Sequence, residues 1–320
     1  MKVTNHSNIA LPLAVWLLAD DYDYINDPNY ISVTSLMKPL KQFILAKRVP
    51  ADQKQIDVAD LVASALGRAV HDSVETAWKK HKSAAMKKLG YGEKIIDRVV
   101  VNPTPEYLQE NPDAIPVYFE QRKFRKFNGW TIGGKYDMVA DGQVQDLKST
   151  SVYTWIKGRK DEDYIKQLSA YKWLADEITA PTGVINFVFT DWQRGLALNN
   201  ADYPQTRLET QEFPLQSDAE VEAWIGQRLA ELARYMNVSE MEMPPCTDSD
   251  LWRDPPTYKY YADPNKVTGR SSKNFTNSAE AYKHLAEKGK GLIREVLGKA
   301  KACEYCAAAS ICKQFEGMNS

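Results

Sequence analysis

The sequence predicts an α/β fold with its sheet in the middle of the chain, and three observations carry that prediction. An apolar-periodic segment from about Val58 past Trp78 reads as a long helix, with Gly67 tolerated inside it. Three β-rich or alternating runs follow, residues 116–126, 130–140 and 143–149, and suit an antiparallel meander. Residues 161–177 then return to an amphipathic helix and residues 183–190 to an apolar strand, an order of elements that belongs to α/β architecture.

The remaining elements frame that core. Residues 9–47 look helical in parts, with Ser32, Thr34 and Ser35 available to cap a helix through Leu45. Residues 207–214 suggest another strand and residues 217–236 a helix, followed by a loop-rich stretch at 243–277 and a basic helix at 278–297. The expected organisation is a domain over residues 1–240, with an N-terminal helical part, and a helical, cysteine-rich segment over 241–320 packed on it. A chain of 320 residues can bury one substantial core, and 26% charged with 43% hydrophobic residues is an ordinary globular composition. The formal net charge of −1 means that a polyanion must be met by local basic patches, which occur at 79–88, 122–126 and 283–301. Taken alone, each patch is equally a solvated face. The apolar run LPLAVWLLA at residues 11–19 is too short to cross a bilayer and lacks a basic flank, so a cytoplasmic location without membrane attachment is expected.

The stretch GGKYDMVADGQVQDLKST, residues 133–150, reads as a hairpin that turns at Asp141-Gly142. Counting back from that turn sets Ala140 against Gln143 and Asp137 against Asp146. Directly opposed like charges are destabilising unless something neutralises them. Asp146 and Lys148 share a face, so two carboxylates and an ammonium meet in one patch. Two readings fit: a surface hairpin whose acids pair with Lys135 and Lys148, or a site for a hard cation such as Mg²⁺.

The flanking helices favour the cation. In the first, Gly67, His71 and Glu75 recur every fourth residue beside Val70, Val74 and Trp78, which embeds an imidazole and a carboxylate in a side expected to be buried. In the second, Gln167 falls on the face made by Tyr164, Leu168, Tyr171, Leu174 and Ala175, and presents its amide beside the Tyr171 phenol. A lone His or Gln on such a face is ordinarily a satisfied core residue; together they place polar chemistry on both sides of the two acids.

The ordered set Gly67-x₃-His71-x₃-Glu75, Gly134-x₂-Asp137, Asp146-Leu147-Lys148 and Gln167-x₃-Tyr171 resembles the RecB-type exonuclease branch of the PD-(D/E)XK nuclease superfamily. Tyr136 stands where that pattern has proline. The resemblance implies a restriction-endonuclease-like core, a central mixed sheet flanked by helices, and Mg²⁺- or Mn²⁺-dependent hydrolysis of DNA. By that pattern His71, Asp137, Asp146 and the Leu147 carbonyl hold the metal. Lys148 positions the attacking water, Glu75 lies at the edge of the site, and Gln167 and Tyr171 organise Lys148 and the substrate strand. A structure-specific endonuclease with the same site, or a non-catalytic nucleic-acid-binding protein retaining the fold, are the alternatives. DNA as single strands or duplex ends is the expected partner. The chain has no Walker phosphate loop, so any helicase or recombination motor is a separate protein.

The tail reads Cys303-x₂-Cys306-x₅-Cys312, and the fourth cysteine, Cys246, lies far upstream. In a reducing compartment, ligation of a metal or cluster is favoured over disulfides. The spacing is similar to the iron–sulfur staple of RecB-type nucleases, although there the lone cysteine precedes the catalytic motifs. The ranking is a [4Fe–4S] cluster first, as the resemblance implies, a structural Zn²⁺ second and unligated thiols third, with the site expected to brace the C-terminal segment.

Overall fold

The computed structural model describes residues 2–158 and 160–319. The chain divides into two compact units, Met1–Lys38 with Gln55–Glu231, and Pro39–Lys54 with Leu232–Ser320. The elements begin with β1 (Lys2–Thr4), α1 (Leu11–Leu18), β2 (Tyr30–Ser32), α2 (Val33–Leu36) and α3 (Leu40–Arg48). Next come β3 (Gln55–Asp57), α4 (Val62–Lys88), α5 (Glu93–Arg98), β4 (Val99–Val101) and α6 (Pro105–Glu110). The centre of the chain forms β5 (Ile115–Phe127), β6 (Trp130–Ala140), β7 (Gln143–Thr150), α7 (Val152–Lys157) and α8 (Asp161–Leu174). These are followed by β8 (Thr182–Phe189), α9 (Arg194–Asn199), β9 (Leu208–Pro214) and α10 (Asp218–Tyr235). The C-terminal part adds β10 (Thr257–Tyr261), β11 (Lys273–Phe275), α11 (Ser278–Lys288), β12 (Leu292–Val296) and α12 (Lys313–Asn319).

The first unit is built on a mixed sheet in the order β4-β5-β6-β7-β8-β9, with β2 also beside β6. Strands β5, β6 and β7 form the antiparallel meander, while β7 and β8 run parallel and are joined through α7 and α8. Two-residue turns set the registers. Asn128-Gly129 and Asp141-Gly142 all have positive φ, as a type I′ turn requires. They fix Phe127 against Trp130 and Ala140 against Gln143, the latter as the sequence predicts.

Strand β6 changes partners along its length. On the side away from β5 it pairs with β2 at residues 131–133 and with β7 only at residues 138–140. Residues 134–137 therefore lie where β2 has ended and β7 has not begun, and Asp137 sits in that gap.

The period-2 alternation also breaks there. Val117 and Phe119 of β5 pack with Met86 and Trp78 of α4, whereas Lys123 and Arg125, of the same parity, reach Glu177 and the Trp173 carbonyl at the end of α8. The switch occurs at Glu120, whose φ of 53° is uncommon for a non-glycine residue in a strand. Strand β6 switches with it, since Tyr136 bonds to Glu177 while Met138 joins the α4 cluster. Glu120 and Asp137 face each other at this kink, between the paired positions Phe119–Met138 and Gln121–Tyr136.

Several expectations change. The helix capped by Ser32 ends at Leu36, because Pro39 disfavours helix at the residue before it, and α3 starts afresh at Leu40. Helix α4 runs past Trp78 as expected, to Lys88, but it is less buried than expected: Ala65 and Met86 are its buried residues, and Val74 is exposed. The stretch read as loop, 243–277, contains β10 and β11. The basic helix stops at Lys288, where Gly289 takes a left-handed cap at φ 61°, and the residues beyond form β12. The C-terminal part is thus a three-stranded antiparallel sheet with a helix, not helices alone.

Candidate active site

The site is assembled around the backbone of Leu147. From one side, His71 on α4 places Nε2 3.0 Å from the Leu147 carbonyl oxygen. In the gap between β6 and β7, Asp137 Oδ2 accepts the Leu147 N–H at 2.7 Å, so a side chain replaces the missing ladder bond. The same Asp137 oxygen lies 3.4 Å from His71 Nδ1, and Glu120 Oε1 lies 3.8 Å from it. His71, Glu120 and Asp137 thereby offer ligand atoms all within 4.8 Å of one another.

Asp146 and Lys148 lie on the α8 side of β7. Asp146 Oδ1 accepts from Gln167 Nε2 at 3.1 Å, and Lys148 donates to Gln167 Oε1 at 3.2 Å. Gln167 also donates to the Tyr171 hydroxyl at 2.9 Å, so the single amide holds acid, ammonium and phenol together. Asp146 is only 2% exposed, and its Oδ2 contacts Lys148 Nζ at 2.6 Å. Lys148 is thus the partner of Oδ2, and Gln167 the partner of Oδ1.

Electrostatics follow from this crowding. Burial, reinforced by the nearby Asp137 charge, pushes the Asp146 carboxyl up to about 6. Burial opposes charge on His71, but the Asp137 and Glu120 carboxylates outweigh it and hold the imidazolium up to about 10. Lys148 is likewise held above its ordinary value: burial pulls it down and the Asp146 carboxylate more than compensates. Lys148 therefore carries its proton at neutral pH.

The structure brings together His71, Asp137, Leu147, Asp146, Lys148, Gln167 and Tyr171. Glu75 is apart from them: one turn beyond His71, it pairs with Lys79 at 2.5 Å. Glu120 is the residue that the motif reading misses. Its other oxygen pairs with Lys135 at 2.6 Å, and although burial disfavours its charge, His71 and Lys135 hold its carboxyl below the usual value. The signal was present in the Asn128-Gly129 turn, because counting back from it sets Glu120 against Asp137 just as the next turn sets Asp137 against Asp146.

In the second unit, Cys303 is buried, and Cys246, Cys306 and Cys312 are half-buried. Gln314 on α12 clamps Cys246 to the tail, accepting its N–H and donating to its carbonyl at 2.9 Å each. Burial pushes the Cys246 thiol up to about 11, with the Asp250 carboxylate next and the Cys312 and Cys306 thiols adding less. Among the described residues, no three of these sulfurs lie within 4.8 Å of one another.

A search of the curated proteins finds no match. Among solved structures, one described as "Crystal structure of SSO0001" is 16% identical over 70% of this chain and 88% of that chain, with a TM-score of 0.42. The sequence model of the PD-(D/E)XK nuclease superfamily matches residues 42–313, a span that includes the acidic cluster and all four cysteines. The mixed sheet flanked by helices is the restriction-endonuclease-like core that such a match requires, and the chain belongs to the PD-(D/E)XK nuclease superfamily.

Proposed function

We propose that this protein is a Mg²⁺- or Mn²⁺-dependent deoxyribonuclease of the RecB-type branch, acting as an exonuclease on single strands or duplex ends. The observation that supports it most is the convergence of His71 and Asp137 on the Leu147 backbone, with the Asp146–Lys148–Gln167 set on the adjoining residues of the same strand. The donor set suits a hard cation. The His71, Glu120 and Asp137 ligand atoms are close enough to share one ion, and carboxylate oxygens are the ligands such a cation takes. His71, Asp137, Asp146 and the Leu147 carbonyl would hold it, and Glu120 faces the same space. When bound, the metal would activate water and offset charge that builds on the phosphodiester in the transition state. Lys148, kept protonated by Asp146 and aimed by Gln167, orients the attacking water and the scissile phosphate. Tyr171 fixes Gln167.

End-labelled single-stranded and duplex DNA and covalently closed circles, each incubated with Mg²⁺, Mn²⁺ or chelator, test this reading. Release of label from linear DNA only with metal, with circles left intact, is the expected result. Cut circles would replace exonuclease by endonuclease, and DNA left whole under every condition would leave only a binding role.

For the cysteines, the proposed group is a [4Fe–4S] cluster, with structural Zn²⁺ second. The Cys303-x₂-Cys306 pair can close on either group, and the C-x₂-C-x₅-C spacing with a distant fourth cysteine is what favours the cluster. Anaerobically purified protein should be brown, with visible absorbance bleached by dithionite. Colourless protein containing stoichiometric zinc would reverse the ranking.

A further inference from the structure

We propose that the β10–β11–α11–β12 module is a DNA-backbone anchor, with Lys259 and Arg294 as its central phosphate contacts. This deepens the nuclease reading by adding a second place at which the chain holds its substrate.

Residues 257–296 carry eight Lys or Arg against four Asp or Glu, in a chain whose formal net charge is −1. The module therefore concentrates positive charge that the rest of the chain more than cancels. The sheet has two unlike faces. One packs on α11 through Tyr260, Phe275 and Ile293, against Ala281 and Leu285. The other presents Lys259 with Arg294 directly across one ladder and Asn274 across the second.

Two cations opposed on adjacent strands repel, and such pairs are normally avoided or neutralised. Here no carboxylate pairs with either Lys259 or Arg294 among the described residues. The one acid on β12 beside Arg294, Glu295, lies on the opposite face, within reach of the Tyr258 hydroxyl at 3.4 Å. Arg294 is exposed and donates to the Val267 carbonyl at 3.4 Å, which ties it to the β10–β11 loop. That loop adds the exposed Arg270, and an exposed Lys266 that pairs with Asp263 at 3.5 Å, so the cations without an acid are those of Lys259 and Arg294 on the sheet face. A face that keeps like charges together and leaves them without acids is complementary to a polyanion. A phosphodiester chain offers that charge in a row and releases its condensed counterions on binding.

The test is a binding titration of fluorescent DNA in EDTA, over a range of salt concentrations, using the full chain and a Lys259→Gln/Arg294→Gln variant. Removing two phosphate contacts should weaken binding and reduce the slope of log affinity against log salt by roughly 1.4–1.8. The melting temperature should hold or rise, because repulsion is relieved. The charge-conserving Lys259→Arg/Arg294→Lys variant should bind like the native chain. With Mg²⁺, the glutamine variant should cleave at the native rate at saturating DNA and show a raised KM. Unchanged affinity and salt slope would overturn the proposal even if cleavage is normal. So would native protein that binds phosphatidylserine vesicles but not DNA. Lack of cleavage by the native chain, with affinity still dependent on these two residues, would instead overturn the nuclease reading and leave the anchor standing.

Discussion

Replacing Lys148 by methionine should lower the cleavage rate by about 10²–10³-fold, the usual loss when one charge-stabilising donor is removed from a site. Methionine keeps most of the buried stem and removes only the ammonium, so packing against α8 is preserved. Two effects combine. The attacking water and phosphate lose their orienting cation, and Asp146 loses the charge that holds its carboxyl near 6 against burial and Asp137. Its carboxyl should therefore move further up, and the pH at which activity appears should rise with it. Mn²⁺ uptake should persist above that shifted value, since no proposed ligand has been removed. Initial rates on end-labelled DNA across pH give the answer; a native rate with a native pH profile would remove Lys148 from the mechanism.

Gly134→Val should impair the site without touching a charged residue. A Cβ at this position would lie 2.8 Å from Tyr171 Cε1 and 3.0 Å from Leu174 Cδ1. The Tyr171 ring must move, and its hydroxyl is what holds Gln167, which in turn holds Asp146 and Lys148. Overpacking of this kind costs about 1–3 kcal/mol, and a catalytic group misplaced by about 1 Å can lose about 10² in rate. Urea denaturation and initial rates measure the two separately. A destabilised variant with native cleavage would show that the Tyr171–Gln167 link is packing alone. The same contact explains the glycine in the Gly134-x₂-Asp137 motif: β6 must pass close under α8 just before it kinks to deliver Asp137.

The parts of the site legible in the sequence were those that break a pattern. Gln167 interrupts an apolar helix face, His71 and Glu75 interrupt another, and the Asp141-Gly142 turn makes a register that can be counted. Glu120 broke no pattern, because a charged residue in an alternating strand reads as solvent-facing. Its role depends on a backbone kink at φ 53° that rotates both β5 and β6, and residue type does not announce such a kink. Helical spacing put Glu75 on the His71 face, one turn beyond it, and there it pairs with Lys79. In the C-terminal part, β10 (Tyr-Lys-Tyr at its centre) and the three-residue β11 are too short a signal to register as a sheet. Two glycines at positive φ, Gly289 and Gly291, end the helix and turn the chain into β12, where a continuous basic helix was expected. The missed sheet is the module that carries the unpaired cations.

The most direct measurement is calorimetric titration of chelator-treated protein with Mn²⁺, comparing the native chain with an Asp137→Ala/Asp146→Ala variant at about pH 6 and about pH 8. His71, held at about 10 in the protein without metal, is protonated throughout that range and must lose its proton to become a ligand. Affinity should therefore rise with pH, by up to about ten-fold per pH unit from this group alone, and uptake should release a proton to the buffer. Asp146, at about 6, adds to the rise only at the acidic end. The account predicts saturable binding by the native chain, tighter at the higher pH, and none by the double variant. Failure of the native chain to take up Mn²⁺, or equal uptake by the variant, would contradict it.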